Sequence, residues 1–220
     1  MEQSANVTND RVLAYWPLWA IGILIALGVI GIGYYFFFPQ PTTPEEEPQV
    51  AGAASISTEG WIIYNDTAHG FTILYPPDFV LDTEYSYTGL GSEKEIRGVS
   101  FSVPAAYTEG TNLSTDSKLS VEWANGADCT AASFIDGGYI APTPENSVYP
   151  FDVQTSTGAA AGNRYEETVF ALPSCHAIRY LIHYGALENY GPGTTRAFDR
   201  QKLLDTLDAM RRSLVLDSKG

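Results

Sequence analysis

Two cysteines, Cys129 and Cys175, and three histidines, His69, His176 and His183, are the residues here whose types suit redox, nucleophilic or metal chemistry. Paired in an oxidising space, the cysteines would close a loop of about 46 residues, worth roughly 4 kcal/mol in the chain-entropy account. Two free thiols or a metal site are the alternatives. A metal needs more ligands, and only His176 adjoins Cys175, where neighbouring strand residues point to opposite faces. The disulfide is the favoured reading, and labelling that finds two free thiols in natively expressed protein would remove it. His69 falls in an expected turn, where solvent contact is its ordinary fate. His176 and His183 are an odd number of residues apart, so on one strand they face opposite sides and share no site.

Carboxylates are plentiful. Asp82 with Glu84, and Glu93 with Glu95, each place two acids on one face if extended, the oxygen donors that calcium takes. Hydration of loop acids is the commoner outcome, and no metal site is assigned to them. Tyr85 and Tyr87 are aromatic enough to touch a glycan or a peptide, yet two tyrosines make no platform. The chain holds no G-x-S-x-G elbow, no H-E-x-x-H pair and no calcium-loop pattern. The Gly158-Ala159-Ala160-Ala161-Gly162 run lacks the Lys and Ser/Thr of a phosphate loop. No catalytic residue set, cofactor or metal site is therefore expected, and the chain reads as a non-enzyme.

The element that positions everything else is the uncharged run over residues 16–38. As a helix at ~1.5 Å per residue it spans about 34 Å, enough for a hydrocarbon core of roughly 30 Å. Trp16 and Trp19 mark one end, Tyr34 and Tyr35 the other, where aromatic rings sit at membrane interfaces. The apolar stretch is too long for a cleaved signal peptide and no small-residue cleavage site follows closely. Arg11 precedes it and no Lys or Arg follows until Lys94, which predicts a cytoplasmic N-terminus and an extracytoplasmic C-terminal domain. Residues 1–11 read as a cytoplasmic stub and 12–38 as a single-pass anchor in the cell membrane. Residues 39–57 read as a Pro/Glu-rich linker, stiff where Pro-rich, and 58–220 as the extracytoplasmic domain.

The 220 residues carry 12 Lys and Arg against 26 Asp and Glu, a net charge of −14. Residues 41–163 carry 17 acids against 3 bases, an excess equal to that of the whole chain, while 164–220 are close to neutral. Such a surface repels phosphate backbones, so nucleic-acid binding is excluded. Membrane lipid, through the N-terminal helix, and an envelope protein are the expected partners.

Within the domain, Val99, Phe101 and Val103 alternate with serines, and Leu119, Val121 and Trp123 with Lys118, Ser120 and Glu122. Phe71, Ile73 and Tyr75 alternate before Pro76-Pro77. These are antiparallel strands with one face on a core. Residues 61–64 and 71–75 suggest an opening hairpin, and 151–154 a further strand. Residues 164–171 and 175–184 suggest a second hairpin around Leu172-Pro173-Ser174. If Ala171 opposes Cys175, Glu167 lies across from Arg179 and can pair with it. A helix is expected over about 200–212, with Asp199 as N-cap, a Leu203, Leu207, Met210, Leu214 stripe and an Asp208–Arg212 pair. Residues 214–216 suit a short edge strand. The fold class is α+β: an antiparallel sheet with a packed C-terminal helix, preceded by one transmembrane helix.

Tyr64-Asn65 followed by Gly70-Phe71-Thr72-Ile73-Leu74-Tyr75-Pro76, with a late helix running into Ser213-Leu214, resembles the PsbP-like small bacterial extracytoplasmic domains. That resemblance implies an antiparallel sheet with packed helices and an accessory role beside a larger membrane complex. It brings no catalytic residue set. The runs Gly110-Thr111-Asn112-Leu113-Ser114, Ala160-Ala161-Gly162-Asn163-Arg164-Tyr165-Glu166-Glu167 and Phe198-Asp199-Arg200 are similar to uncharacterised single-pass membrane-anchored bacterial proteins. The function expected is a tethered, non-enzymatic binding module. The alternatives are a ligand- or cation-sensing domain and an envelope hydrolase.

Overall fold

The computed structural model describes residues 56–91, 94–126, 129–144, 147, 149 and 151–217. They belong to the compact unit spanning residues 53–220. The expected anchor, with Trp16, Trp19, Tyr34 and Tyr35, and most of the linker lie outside the described residues. Among those described, no helix is long and apolar enough to cross a membrane.

Two antiparallel sheets and one long helix form the domain. The smaller sheet runs in the order β1 (Ile62–Asp66), β2 (Phe71–Tyr75), β11 (Val215–Leu216). The larger has the order β3 (Val80–Asp82), β5 (Ile96–Ser102), β6 (Lys118–Trp123), β10 (His176–Gly185), β9 (Asn163–Leu172), β8 (Asp152–Ala160), β7 (Tyr139–Ala141). A short β4 (Ser86–Tyr87) pairs beside β3 on β5. Helix α1 is one turn (Ala105–Thr108), and α2 is Arg200–Ser213. The single sheet expected from the sequence is thus divided, because β11 joins β1 and β2 instead of the main sheet.

Cross-strand registers sort the large sheet into two faces. Val99, Val121, Ile178 and Phe170 share one, an apolar face, with Phe101, Leu119, Tyr180 and Val153. It is covered by the small sheet, where Tyr75 meets Phe101 at 4.8 Å between ring centroids, and by α2, whose Leu203, Leu207, Met210 and Leu214 are buried in the same cluster. The predicted stripe is therefore the packed face of α2. Asp199 caps the helix by accepting from the Lys202 backbone N–H at 3.0 Å. Asp208 bonds Arg211 at 3.2 Å and accepts from the Tyr180 hydroxyl at 2.9 Å. Its nearer helical neighbour takes the place foreseen for Arg212.

The second hairpin departs from the expected register. Leu172 pairs with His176 and Ala171 with Ala177. Ser174 and Cys175 take φ of 61° and 55°, so Cys175 belongs to the Pro173–Cys175 turn and pairing starts one residue later on each strand. The net shift is two residues, and an even slip keeps every side chain on its face. The β8–β9 connection is a tight turn: β8 runs through Ala160, leaving Ala161-Gly162 between the strands.

Candidate functional site

On the other face of the large sheet the alternation delivers polar side chains: Ser100 from β5, Ser120 and Glu122 from β6, Arg179 from β10 and Glu167 from β9. Alternation alone predicts these to be wetted. Ser100, Ser120, Glu122 and Arg179 are buried, the last two completely, and Glu167 is half-buried. The cover comes from residues remote in sequence. Ala131, Phe134 and Ile135 pack with Ile96, Val169, Ala171 and Ala177 as a second apolar cluster. The segment is held at one end by the Cys129–Cys175 disulfide and at its one-turn helix by the Ala131 backbone N–H donating to Asp152 at 2.8 Å.

Under that cover Arg179 donates through Nε and Nη2 to the two oxygens of Glu122, at 2.8 and 3.0 Å. Its Nη1 donates to Glu167 at 2.9 Å, and Nη2 also meets the Phe134 carbonyl. Glu167 is reached diagonally from Arg179, a consequence of the two-residue slip, so the foreseen pair forms in a different register and buried on the arginine side. The Tyr87 ring lies 3.5 Å beneath the guanidinium, and its hydroxyl donates to Glu167 at 3.0 Å. Ser120 donates to Glu122 at 2.8 Å. Gly98 makes the arrangement possible: a Cβ there would stand 2.6 Å from the Val121 carbonyl and 3.2 Å from both Glu122 and Tyr85.

The electrostatics follow from burial and pairing. Desolvation alone would lower the Arg179 pKa, but the charge and hydrogen bonds of Glu122 outweigh it and hold the guanidinium firmly protonated. Burial, assisted by the Glu167 charge and opposed by Arg179, pushes the Tyr87 phenol up to about 12. Burial pushes Tyr85 up as well. Arg179, Glu122, Glu167, Ser120 and Tyr87 are turned on one another as one charge network, while the buried Ser100 hydroxyl has no partner among the described residues. Neither tyrosine presents an open platform, as each hydroxyl points inward, Tyr87 to Glu167 and Tyr85 towards Glu122.

The histidines separate. His69 stacks on Trp123 at 3.6 Å between centroids and bonds Asp66 through Nδ1 at 2.9 Å. Burial alone would raise the Asp66 carboxyl, but the hydrogen bonds from His69 and the Ala68 N–H prevail and hold it below its ordinary value. His176 bonds the His69 carbonyl through Nε2. His183 stacks on Tyr165 and bonds Asp116. The acid pairs are rearranged too. Asp82 accepts from the Glu84 N–H in a local turn, and Glu93 lies outside the described residues. Glu84 and Glu95 instead line a cleft of about 380 Å³ with His69, Arg97 and Trp123. Among the described residues no group of three or more His, Cys, Asp or Glu is placed to hold a metal.

Large apolar side chains are also exposed at sheet edges. Ile63 on β1 is 65 % exposed, and Tyr139 and Ile140 on β7 are 62 % and 83 % exposed. Strand β7 was not foreseen: three residues between Gly137-Gly138 and Pro142 carry no periodicity to read. No family model matches this chain, and no curated protein matches it in sequence.

Proposed function

We propose that this chain is a membrane-tethered, extracytoplasmic and non-enzymatic module that binds a protein partner or envelope component, in an accessory role of the PsbP-like kind. The observation that carries the reading is the placement of large apolar side chains on strands that end their sheets among the described residues, Ile62 and Ile63 on β1 and Tyr139 and Ile140 on β7. Soluble domains usually blunt such edges with charge or proline, and edges left apolar serve strand-to-strand recognition. The Cys129–Cys175 disulfide supports an oxidising location, which agrees with residues 12–38 as the anchor and a cytoplasmic N-terminus. Arg179, Glu122 and Glu167 are spent on one another, which favours a structural use of the domain's strongest charges over a catalytic one.

Crosslinking in native membranes, followed by purification of the full chain and mass spectrometry, tests the proposal. A larger partner reproducibly linked to residues 58–220 is the expected result. Substrate turnover by the full chain, abolished by one substitution in a cleft, would sink it. A ligand-sensing role is the second reading, favoured by the cleft between His69, Glu84, Glu95, Arg97 and Trp123. A rise in melting temperature with one member of a panel of cations and sugars, lost in Arg97→Ala, would move weight to it.

A further inference from the structure

We infer that the outer edge of β7 is the docking strand for an extended, basic segment of the partner, so that recognition proceeds by addition of a strand to the large sheet. This rests on the partner-binding reading and narrows it to one edge and one chemistry.

Strand β7 ends the large sheet and pairs only with β8 among the described strands. Its backbone is set for pairing before any partner arrives. Gly137 and Gly138 take φ of 70° and 87°, and a side chain on Gly138 would collide with the Thr155 carbonyl. The two glycines thus let the chain turn and lie close against β8. Tyr139 and Ile140 leave the strand on opposite faces, opposite Thr155 and Gln154, and Ile140 is the most exposed large apolar side chain among the described residues. A strand laid alongside gains backbone hydrogen bonds and an apolar neighbour on each face.

Charge selects the occupant. Among the described residues between 124 and 163 the charged side chains are Asp136 and Asp152, with no Lys, Arg or His. Asp136 precedes the Gly137-Gly138 turn that leads into β7, and Asp152, which accepts from the Ala131 N–H, lies beside Val153, the partner of Ala141. An edge kept monomeric by charge usually carries lysine, and a second copy of this chain would bring acid against acid. Apolar residues alternating with Lys or Arg satisfy both the exposed side chains and the field. Three residues form a short ladder, so the contact is weak alone and gains strength from tethering at the membrane.

The test uses the full chain in zwitterionic lipid nanodiscs and two short synthetic peptides, one alternating Lys and Val, the other Glu and Val. Hydrogen exchange resolved along the chain is the readout. The expected result is slowed exchange at Tyr139–Ala141 with the Lys–Val peptide alone. Its affinity should fall roughly tenfold in Tyr139→Ser/Ile140→Ser, about what losing two apolar contacts costs, with β9 and β10 protection unchanged as the check on folding. Protection at β1, equal binding of both peptides, an unaltered affinity in the double variant, or no protection with either peptide would each overturn the inference. Partner crosslinks to other segments in native membranes would leave the broader reading standing after such a failure, and their absence would end both.

Discussion

The two faces of the large sheet solve the same burial problem with different chemistry. The apolar face is closed by α2 and the small sheet, and its contacts are mostly side chains of Leu, Ile, Val, Phe, Met and Tyr, with the Tyr180 hydroxyl bonded to Asp208 at its margin. Any sequence of similar volume and pattern would serve there. The polar face is closed by a disulfide-tied segment over one arginine, two glutamates and two tyrosines. Burying an ion pair gives little net stability, since desolvation cancels most of the attraction, yet removing one partner strands a charge. The first face tolerates change by degrees, whereas the second tolerates it only in sets.

The largest effect should come from breaking that set. Arg179→Met leaves Glu122 buried and unpaired, and a loss of roughly 3–5 kcal/mol is expected. Adding Glu122→Leu removes the stranded charge and should recover much of the loss. Chemical denaturation of the full chain in micelles, taken through the double-mutant cycle, measures both. Leu207→Ala on the apolar face should cost roughly 2–5 kcal/mol, and no single second substitution of a contacting residue to alanine should recover it. Recovery there, or its absence at Arg179, would erase the contrast between the faces.

Opening the disulfide separates the faces by dynamics. Cys129→Ser/Cys175→Ser should cost roughly 2–4 kcal/mol. Hydrogen exchange should quicken at Ala131–Ser133, where the cover of the polar face sits, before it quickens in α2. Equal acceleration in both would mean that the disulfide supports the whole domain and that the cover has no separate stability.

How far each face can be read from sequence follows from the same contrast. Helix α2 carries its cap, stripe and terminal arginines within one local stretch, so periodicity reveals it. The alternating strands reveal which residues share a face. They do not reveal that Glu122 and Arg179, 57 positions apart, meet under residues 131–135, because that cover depends on a distant cysteine pairing. Arg179 and Glu167 were within reach because they lie in one hairpin, and only the positive φ of Ser174 and Cys175 displaced their register. Glu122, the residue missed, is indistinguishable in its local pattern from a wetted strand residue. Glu84 and Glu95 come to one cleft through β4 and its flanking loops, a route no local spacing encodes.

A smaller effect distinguishes the local cap of α2 from these long-range devices. Asp199→Ala removes the side-chain acceptor for the Lys202 N–H and should lower stability by about 1 kcal/mol. Asp199→Ser, which restores an acceptor, should return most of it. If serine failed to do so, the contribution of Asp199 would be its charge at the helix N-terminus, and added salt should then shrink it.

The smallest predicted effect is an acid limb to which both layers contribute. Asp66 lies at the turn of the small sheet, and Asp116 beside His183, which leaves β10 on the polar face. Burial raises both carboxyls, but hydrogen bonds outweigh it, from His69 at Asp66 and from Ser114 and His183 at Asp116, so each titrates below its ordinary value of 3.8. A carboxyl that binds its proton more weakly when folded stabilises the fold above the unfolded pKa. That contribution disappears as pH falls through the lower, folded value. The urea midpoint should therefore decline below about pH 4, and Asp66→Asn and Asp116→Asn should each flatten the decline while lowering the plateau at neutral pH. Both pairs are partly open to solvent, which keeps each contribution small. A decline untouched by either substitution would show that neither the His69 pair of the small sheet nor the His183 pair of the polar face shapes the acid limb.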